Sequence, residues 1–201
     1  MATVINAGQT ALTITPDTTG ALTIQANGNN ALQITSNGQI TTANAPFILT
    51  GGQIQFPATA SASSDANTLD DYEEGTWTPV LTFGGSSTGI TYDVSDRGLY
   101  TKVGNIVTVF VRMVLTSKGS ASGTALITGL PFTSKGGQFV TGCSLAGFND
   151  LTFANQLVMQ IGENTTEVQI FEVTEAGVRT SITNSDFGNS TRLSWSATYL
   201  V

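Results

Sequence analysis

Residues 11–14 (ALTI), 21–24 (ALTI) and 31–34 (ALQI) repeat one four-residue pattern at a constant spacing of ten residues. Within each copy, Leu and Ile are two positions apart, so in an extended chain both side chains project from the same face. Gly and Asn residues at 27–30 and 37–38 supply turn chemistry after the second and third copies. The repeat is therefore typical of one short strand and one turn, used several times, with burial supplied by neighbouring strands.

The repeat segment is almost free of charge. Asp17 is the only charged side chain in residues 1–64, so no charge protects the strand edges from pairing with another chain. A few short strands with one apolar face are marginally stable by themselves. We predict that residues 1–56 of three chains wrap about a common axis, as a trimeric β-prism or an interleaved β-helix shaft. The residues expected at the trimer interface form the Leu and Ile rows: Leu12, Ile14, Leu22, Ile24, Leu32 and Ile34.

Two other interpretations of the repeats stay open. A Thr- and Asn-rich segment of this kind is also compatible with a flexible arm that orders on a partner surface. A solenoid cap built from one chain is the third interpretation.

The composition excludes several classes of partner. Of the 201 residues, 40% are hydrophobic and 10% are charged, and the formal net charge is −7 without any run of Lys or Arg. Phosphate neutralisation on nucleic acid and binding to anionic lipid are both disfavoured by this charge. No apolar run approaches the ~20 residues of a membrane helix, and the N-terminal residues lack the pattern of a signal peptide. We therefore expect neither nucleic acid nor a membrane as a partner.

The remainder of the chain predicts a polar acidic linker at residues 57–76 and a folded domain at residues 77–201. Apolar runs or alternation at 103–115, 125–132, 156–161, 167–173 and 193–201 indicate strands separated by Gly-containing turns. We expect an antiparallel β-sandwich, jelly-roll-like, so that the whole chain is all-β. The linker and its margin hold five acids, which we interpret as a solvated turn before the first strand: Asp65, Asp70, Asp71, Glu73 and Glu74.

The sequence gives no indication of catalysis, of a metal site or of a cofactor. The chain has no His, so Ser–His, Cys–His and His-containing zinc sites cannot be built. Cys143 is the only cysteine, and we interpret it as a small buried residue. Five aromatic residues could stack on sugar rings or pack in the core, and core packing is expected for most of them: Trp77, Tyr92, Tyr100, Trp195 and Tyr199.

One set of motifs resembles a known family. The string TLDDYEEGTWTP at 68–79, followed by GLYTKVG at 98–104 and ITGLPFT at 127–133, is similar to a module of tailed-bacteriophage virion proteins. The preceding repeats and GGQIQFP at 51–57 resemble the shaft segments that come before this module. The resemblance covers residues 1–135 and implies a phage virion surface protein, commonly trimeric, with no catalytic residues to transfer.

The resemblance leads to three hypotheses of function. The repeats begin at residue 2, which leaves no room for the adaptor domain of a tail fibre, so the first expectation is a non-enzymatic homotrimer that binds the major capsid protein or another virion protein. Such a protein would be a capsid decoration (cement) protein or a head fibre on the particle surface. The second is a short tail fibre whose loops at 84–89 and 119–123 contact a host-surface glycan. The third is a fibre-borne glycan hydrolase.

Overall fold

The computed structural model describes residues 22–26, 29–34, 40–41, 52–56, 68–69, 71–94 and 97–201. These residues form fifteen β-strands, all paired antiparallel, and one short 3-10 turn at Asn184–Asp186. The predicted all-β fold is confirmed. The chain divides into two compact units, Met1–Gln55 and Phe56–Val201. Of the residues predicted at the trimer interface, Leu12 and Ile14 lie outside the described ranges.

The first unit holds a sheet of three short strands, β1 (Leu22–Ala26), β2 (Asn29–Ile34) and β3 (Ile40–Thr41), in that order. The second and third copies of the repeat therefore form two neighbouring strands. Their register places Leu22 opposite Ile34 and Ile24 opposite Leu32, with a bulge after Ile24. Because directly opposed residues of a sheet lie on the same face, the register aligns the apolar positions of the two copies.

The second unit holds twelve strands in two sheets. The strands are β4 (Tyr72–Trp77), β5 (Val80–Phe83), β6 (Ile90–Tyr92), β7 (Arg97–Val103), β8 (Ile106–Lys118), β9 (Ala125–Thr128), β10 (Thr141–Gly142), β11 (Ser144–Leu151), β12 (Gln156–Ile161), β13 (Glu167–Val173), β14 (Arg179–Ser181) and β15 (Phe187–Leu200). Sheet I has the order β10-β12-β13-β9-β5, with β14 also paired to β13. Sheet II has the order β11-β15-β8-β7-β4, with β6 also paired to β8.

The two longest strands, β8 and β15, form the centre of sheet II. Burial alternates strictly along both over most of their length, so that every second side chain faces the interior, as the period of two requires. In the register of the pair, Val111 lies opposite Trp195 and Val107 opposite Tyr199. The apolar run at 103–115 predicts one long strand buried on much of both faces, and the structure corrects this in two respects. Val103 ends β7, Gly104 makes the turn at a φ of 56°, and the outer face of β8 is partly exposed.

The buried side chains of both sheets form one hydrophobic cluster, so the second unit is a two-sheet sandwich. Phe83 of sheet I meets Phe187 of sheet II edge to face, with 5.1 Å between ring centroids. Trp77 and Trp195, both on the inner face of sheet II, make a similar contact at 6.4 Å. These aromatic contacts join the two sheets and link the edge strand β4 to the central strand β15.

The single cysteine, Cys143, was expected to be buried and is partly buried against the core cluster, which gives a prediction that is independent of function. Desolvation raises the pKa of the Cys143 thiol to about 12. Since the thiolate is the reactive form, the native protein at pH 8 should react with a disulfide reagent at least about 100-fold more slowly than the urea-unfolded chain. Stopped-flow labelling in the two states measures the ratio, and a native rate equal to the unfolded rate would contradict the burial.

Candidate functional surfaces

The acidic residues next to β4 contact the strand that pairs with it. The Lys102 ammonium on β7 forms an ion pair with the Asp71 carboxylate, and the Tyr100 hydroxyl donates a hydrogen bond to the Glu73 carboxylate. Lys102 is only 9% exposed, which is rare for a lysine unless a partner neutralises it. The hydrogen bond to Glu73 also raises the pKa of Tyr100 above its ordinary value. We call these four residues the β4–β7 polar cluster.

The third motif, at residues 127–133, completes the β4–β7 polar cluster. The Phe132 ring meets Tyr100 edge to face at 5.5 Å between centroids, and the Lys102 Nζ lies 5.6 Å from the same ring. The Phe132 carbonyl accepts a hydrogen bond of 3.1 Å from the Tyr199 hydroxyl. Residues far apart in the sequence therefore meet at one end of the sandwich, and all three motifs contribute.

This arrangement corrects the interpretation of the acidic stretch. Asp71 is not an exposed charge of a solvated turn, because its carboxylate pairs with the buried Lys102. Glu73 is exposed, but it lies on a strand and accepts a hydrogen bond from Tyr100. β4 also begins at Tyr72, so part of the stretch assigned to the linker is a strand of sheet II. Asp65 and Asp70 lie outside the described residues.

Two carboxylates that border one pocket of the second unit accept hydrogen bonds from the backbone. The pocket has a volume of about 420 Å³ and is lined in part by Glu172 and Asp186. Glu172 accepts hydrogen bonds from the N–H groups of Ala154 and Asn155, and Asp186 accepts one from the Thr183 N–H. Each carboxylate thus closes a turn. Across the described ranges, no three His, Cys, Asp or Glu residues are grouped so that they could hold a metal ion.

The two loops proposed to contact a receptor lie against each other. The Ser120 N–H donates to the Thr88 carbonyl at 3.1 Å, and the Gly84 N–H donates to the Thr124 carbonyl at 2.9 Å. A Cβ added at Gly89 would lie 3.2 Å from the Gly119 Cα, so the backbones approach closely. The structure therefore brings residues 84–89 and 119–123 together.

The aromatic residues that were weighed as sugar-stacking groups contribute to the core instead. Trp77, Trp195 and Tyr199 are buried, and Tyr92 and Tyr100 pack against the same cluster. The expectation of core packing is confirmed for these residues.

An exposed apolar surface on sheet II was not anticipated from the sequence. On the outer face, Leu99 lies opposite Phe110, Val103 lies opposite Ile106, and Tyr72 lies opposite Val103. All five side chains are exposed, and Phe110 is 57% exposed. We call this surface the sheet II apolar face. The alternation of side chains along β8 predicts which positions share a face. It does not predict that, within the described part of the chain, no other layer covers this face.

A smaller pocket, of about 200 Å³, opens on the outer side of sheet I. β12 occupies one edge of β13 along its whole length, so β9 and β14 share the other edge in succession. The pocket lies where these two strands meet. Its lining includes Thr124, Leu126, Gln169, Phe171, Arg179 and Ser181.

The described ranges contain no helix that is long and apolar enough to cross a bilayer. No protein-family model matches the sequence. No curated protein matches it significantly. Among solved structures, the fold is similar to the crystal structure of the Dettilon tailspike protein (gp208), with a TM-score of 0.54 and 21% sequence identity. The match covers 64% of this chain and 23% of the tailspike chain, so this chain corresponds to less than a quarter of that protein.

Proposed function

We propose that this chain is a non-enzymatic structural protein of a tailed-bacteriophage virion, present as a homotrimer on the particle surface. The likeness to a tailspike fold and the convergence of the three module motifs in one polar cluster support a virion protein. Glu172 and Asp186, which line one pocket, accept backbone hydrogen bonds, and this supports a structural rather than a catalytic role for them.

The main support for an oligomer is the sheet II apolar face. Five large apolar side chains, aligned in register and exposed to solvent, form the kind of surface that marks a protein interface. We propose that a second copy of the chain covers it.

The trimeric shaft belongs to the same proposal. The register of β1 and β2 aligns the apolar positions of two repeats, and the charge-free sequence leaves the edges open for pairing. Three copies would close these edges and give the Leu and Ile rows a common interior, while the second unit, expected to be jelly-roll-like, forms the outward knob.

We propose two attachment sites on the particle. As a capsid decoration protein or head fibre, the trimer would contact neighbouring capsid subunits and stabilise the assembled shell by binding it preferentially. The tailspike likeness favours the alternative, a short tail fibre that binds a host-surface receptor or glycan.

Electron microscopy of purified particles labelled with an antibody to the second unit distinguishes the two. Label distributed over the head is expected for a decoration protein. Label confined to the tail would support the fibre and contradict decoration, and particles without label would contradict both attachments.

A further inference from the structure

The pocket on the outer side of sheet I contains a row of oriented polar side chains. The Arg179 guanidinium lies 4.7 Å from the centroid of the Phe171 ring and donates a hydrogen bond of 3.3 Å to the Gln160 Oε1. The Gln160 Nε2 donates in turn to the Gln169 Oε1 at 2.8 Å. Stacking and hydrogen bonding together restrict a long side chain that would otherwise be free to rotate.

Arg179 is the charged member of this row. It is one of seven Lys and Arg residues in a chain of net charge −7, and within the described ranges no carboxylate pairs with it. A guanidinium carries five N–H donors, and here one of them serves Gln160. Arg179 is exposed and lines the pocket, and the remaining donors of its planar guanidinium suit a carboxylate bound through two parallel hydrogen bonds.

The other lining groups suit a sugar ring. The Gln169 amide and the hydroxyls of Thr124 and Ser181 can exchange hydrogen bonds with ring hydroxyls, while Leu126 offers an apolar surface to C–H groups. A volume of about 200 Å³ lies below the ~300–1,000 Å³ of pockets for drug-sized ligands, so the space suits a single ring.

We propose that this pocket binds one carboxylate-bearing sugar unit, a hexuronate, of an acidic polysaccharide. Arg179 binds the carboxylate, and Gln169, Thr124 and Ser181 bind the hydroxyls. The site does not depend on the assembly proposed above. Its lining comes from β13, β14 and residues 124–126, and Thr124 is where it borders the loops at 84–89 and 119–123.

The test uses the full-length chain, labelled with ¹⁵N and titrated with D-glucuronate, D-glucose and acetate. D-glucuronate should shift the backbone amide signals of Gln169 and Ser181 at lower concentration than either of the other two. D-glucose supplies the ring without the charge, and acetate supplies the charge without the ring.

Two variants and one control assign the binding to these residues. Arg179→Gln should weaken D-glucuronate binding by about tenfold or more, because a charge-assisted pair is lost. Gln169→Glu should weaken it similarly by placing a like charge beside the carboxylate. Arg192→Gln, which makes the same charge change on sheet II, should leave the affinity unchanged.

Three results would overturn the proposal. The first is equal D-glucuronate affinity of Arg179→Gln and the unaltered protein. The second is equal affinity for acetate and D-glucuronate, which would indicate an adventitious ion only. The third is equal affinity for D-glucose and D-glucuronate. Unchanged unfolding midpoints in both variants exclude loss of the fold as the cause. Since the particle imaging does not involve the pocket, either proposal can fail without the other.

Discussion

Gly98→Ala is expected to lower the free energy of unfolding of the second unit by about 1–3 kcal/mol, the range for an overpacked interior site. Gly98 lies opposite Trp77 in the β4–β7 pair, and the indole covers the glycine. A Cβ added there would lie 2.6 Å from Trp77 Nε1 and 2.7 Å from Cε2, well inside contact distance. The ring cannot easily move away, because it also packs edge to face against Trp195.

The sign of this effect is informative. In the interior of a strand, replacing Gly by Ala ordinarily removes conformational freedom from the unfolded chain and is neutral or stabilising. Gly147→Ala in β11 is the matched control, because a Cβ there meets nothing within 4 Å. Gly147→Ala should change stability by less than about 0.5 kcal/mol.

Urea unfolding followed by tryptophan fluorescence measures both variants. The two tryptophans of the chain, Trp77 and Trp195, both lie in the second unit, so the signal reports that unit alone. If Gly98→Ala and Gly147→Ala proved equally stable, the indole would not be held over Gly98 as described.

The same contact explains what the sequence could and could not predict about the module. The alternation of Leu193, Trp195, Ala197 and Tyr199 predicted a strand with one buried face, because a period of two is a local property of the chain. That Trp77 rests on Gly98 follows from strand pairing between residues 21 positions apart, which no local pattern encodes. The three motifs were recognisable one by one, but their convergence depends on the fold.

The acidic stretch was misjudged for a related reason. In sequence, Asp71 and Glu73 belong to a run of carboxylates after a polar segment, and such runs are ordinarily solvated. Their partners, Lys102 and Tyr100, lie about thirty residues later and reach them only through the register of β4 with β7. One sequence signal could have indicated these contacts. Gly98, Tyr100 and Lys102 are two positions apart from one another along the strand, so they lie on the same face.

The candidate surfaces were predictable to different degrees. The loops at 84–89 and 119–123 were identified by their glycines, although not their mutual contact. The pocket beside Arg179 had no sequence signal, since it arises where β9 and β14 meet along β13. The outer residues Ile106 and Phe110 were expected to be buried, and within the described chain they are exposed. A partner subunit that covers the sheet II apolar face would bury these apolar side chains and so explain why they are apolar at exposed positions.

Leu22→Asp is expected to convert the proposed trimer to monomer. The register places Leu22 opposite Ile34, so three copies of the variant would introduce three carboxylates into the proposed shared interior. Removing an unpaired charge from water costs several kcal/mol, and each of the three chains would add this cost to the free energy of trimer formation. Sedimentation velocity of the full-length protein should show the mass fall from three chains to one.

Thr23→Asp is the matched control on the same strand. Thr23 lies opposite Gln33 and, by strand alternation, on the face away from the Leu and Ile row. The Asp side chain of the variant would therefore remain in water, and the trimer should persist.

Phe110→Asp tests the proposed contact at the sheet II apolar face separately. The Phe110 side chain is already exposed, so the fold should survive while association weakens. If Leu22→Asp sediments as a trimer exactly as the unaltered protein does, the repeats do not share an interior. If Phe110→Asp associates normally as well, the sheet II apolar face is not covered by a second copy, and some other partner must account for an exposed row of large apolar side chains.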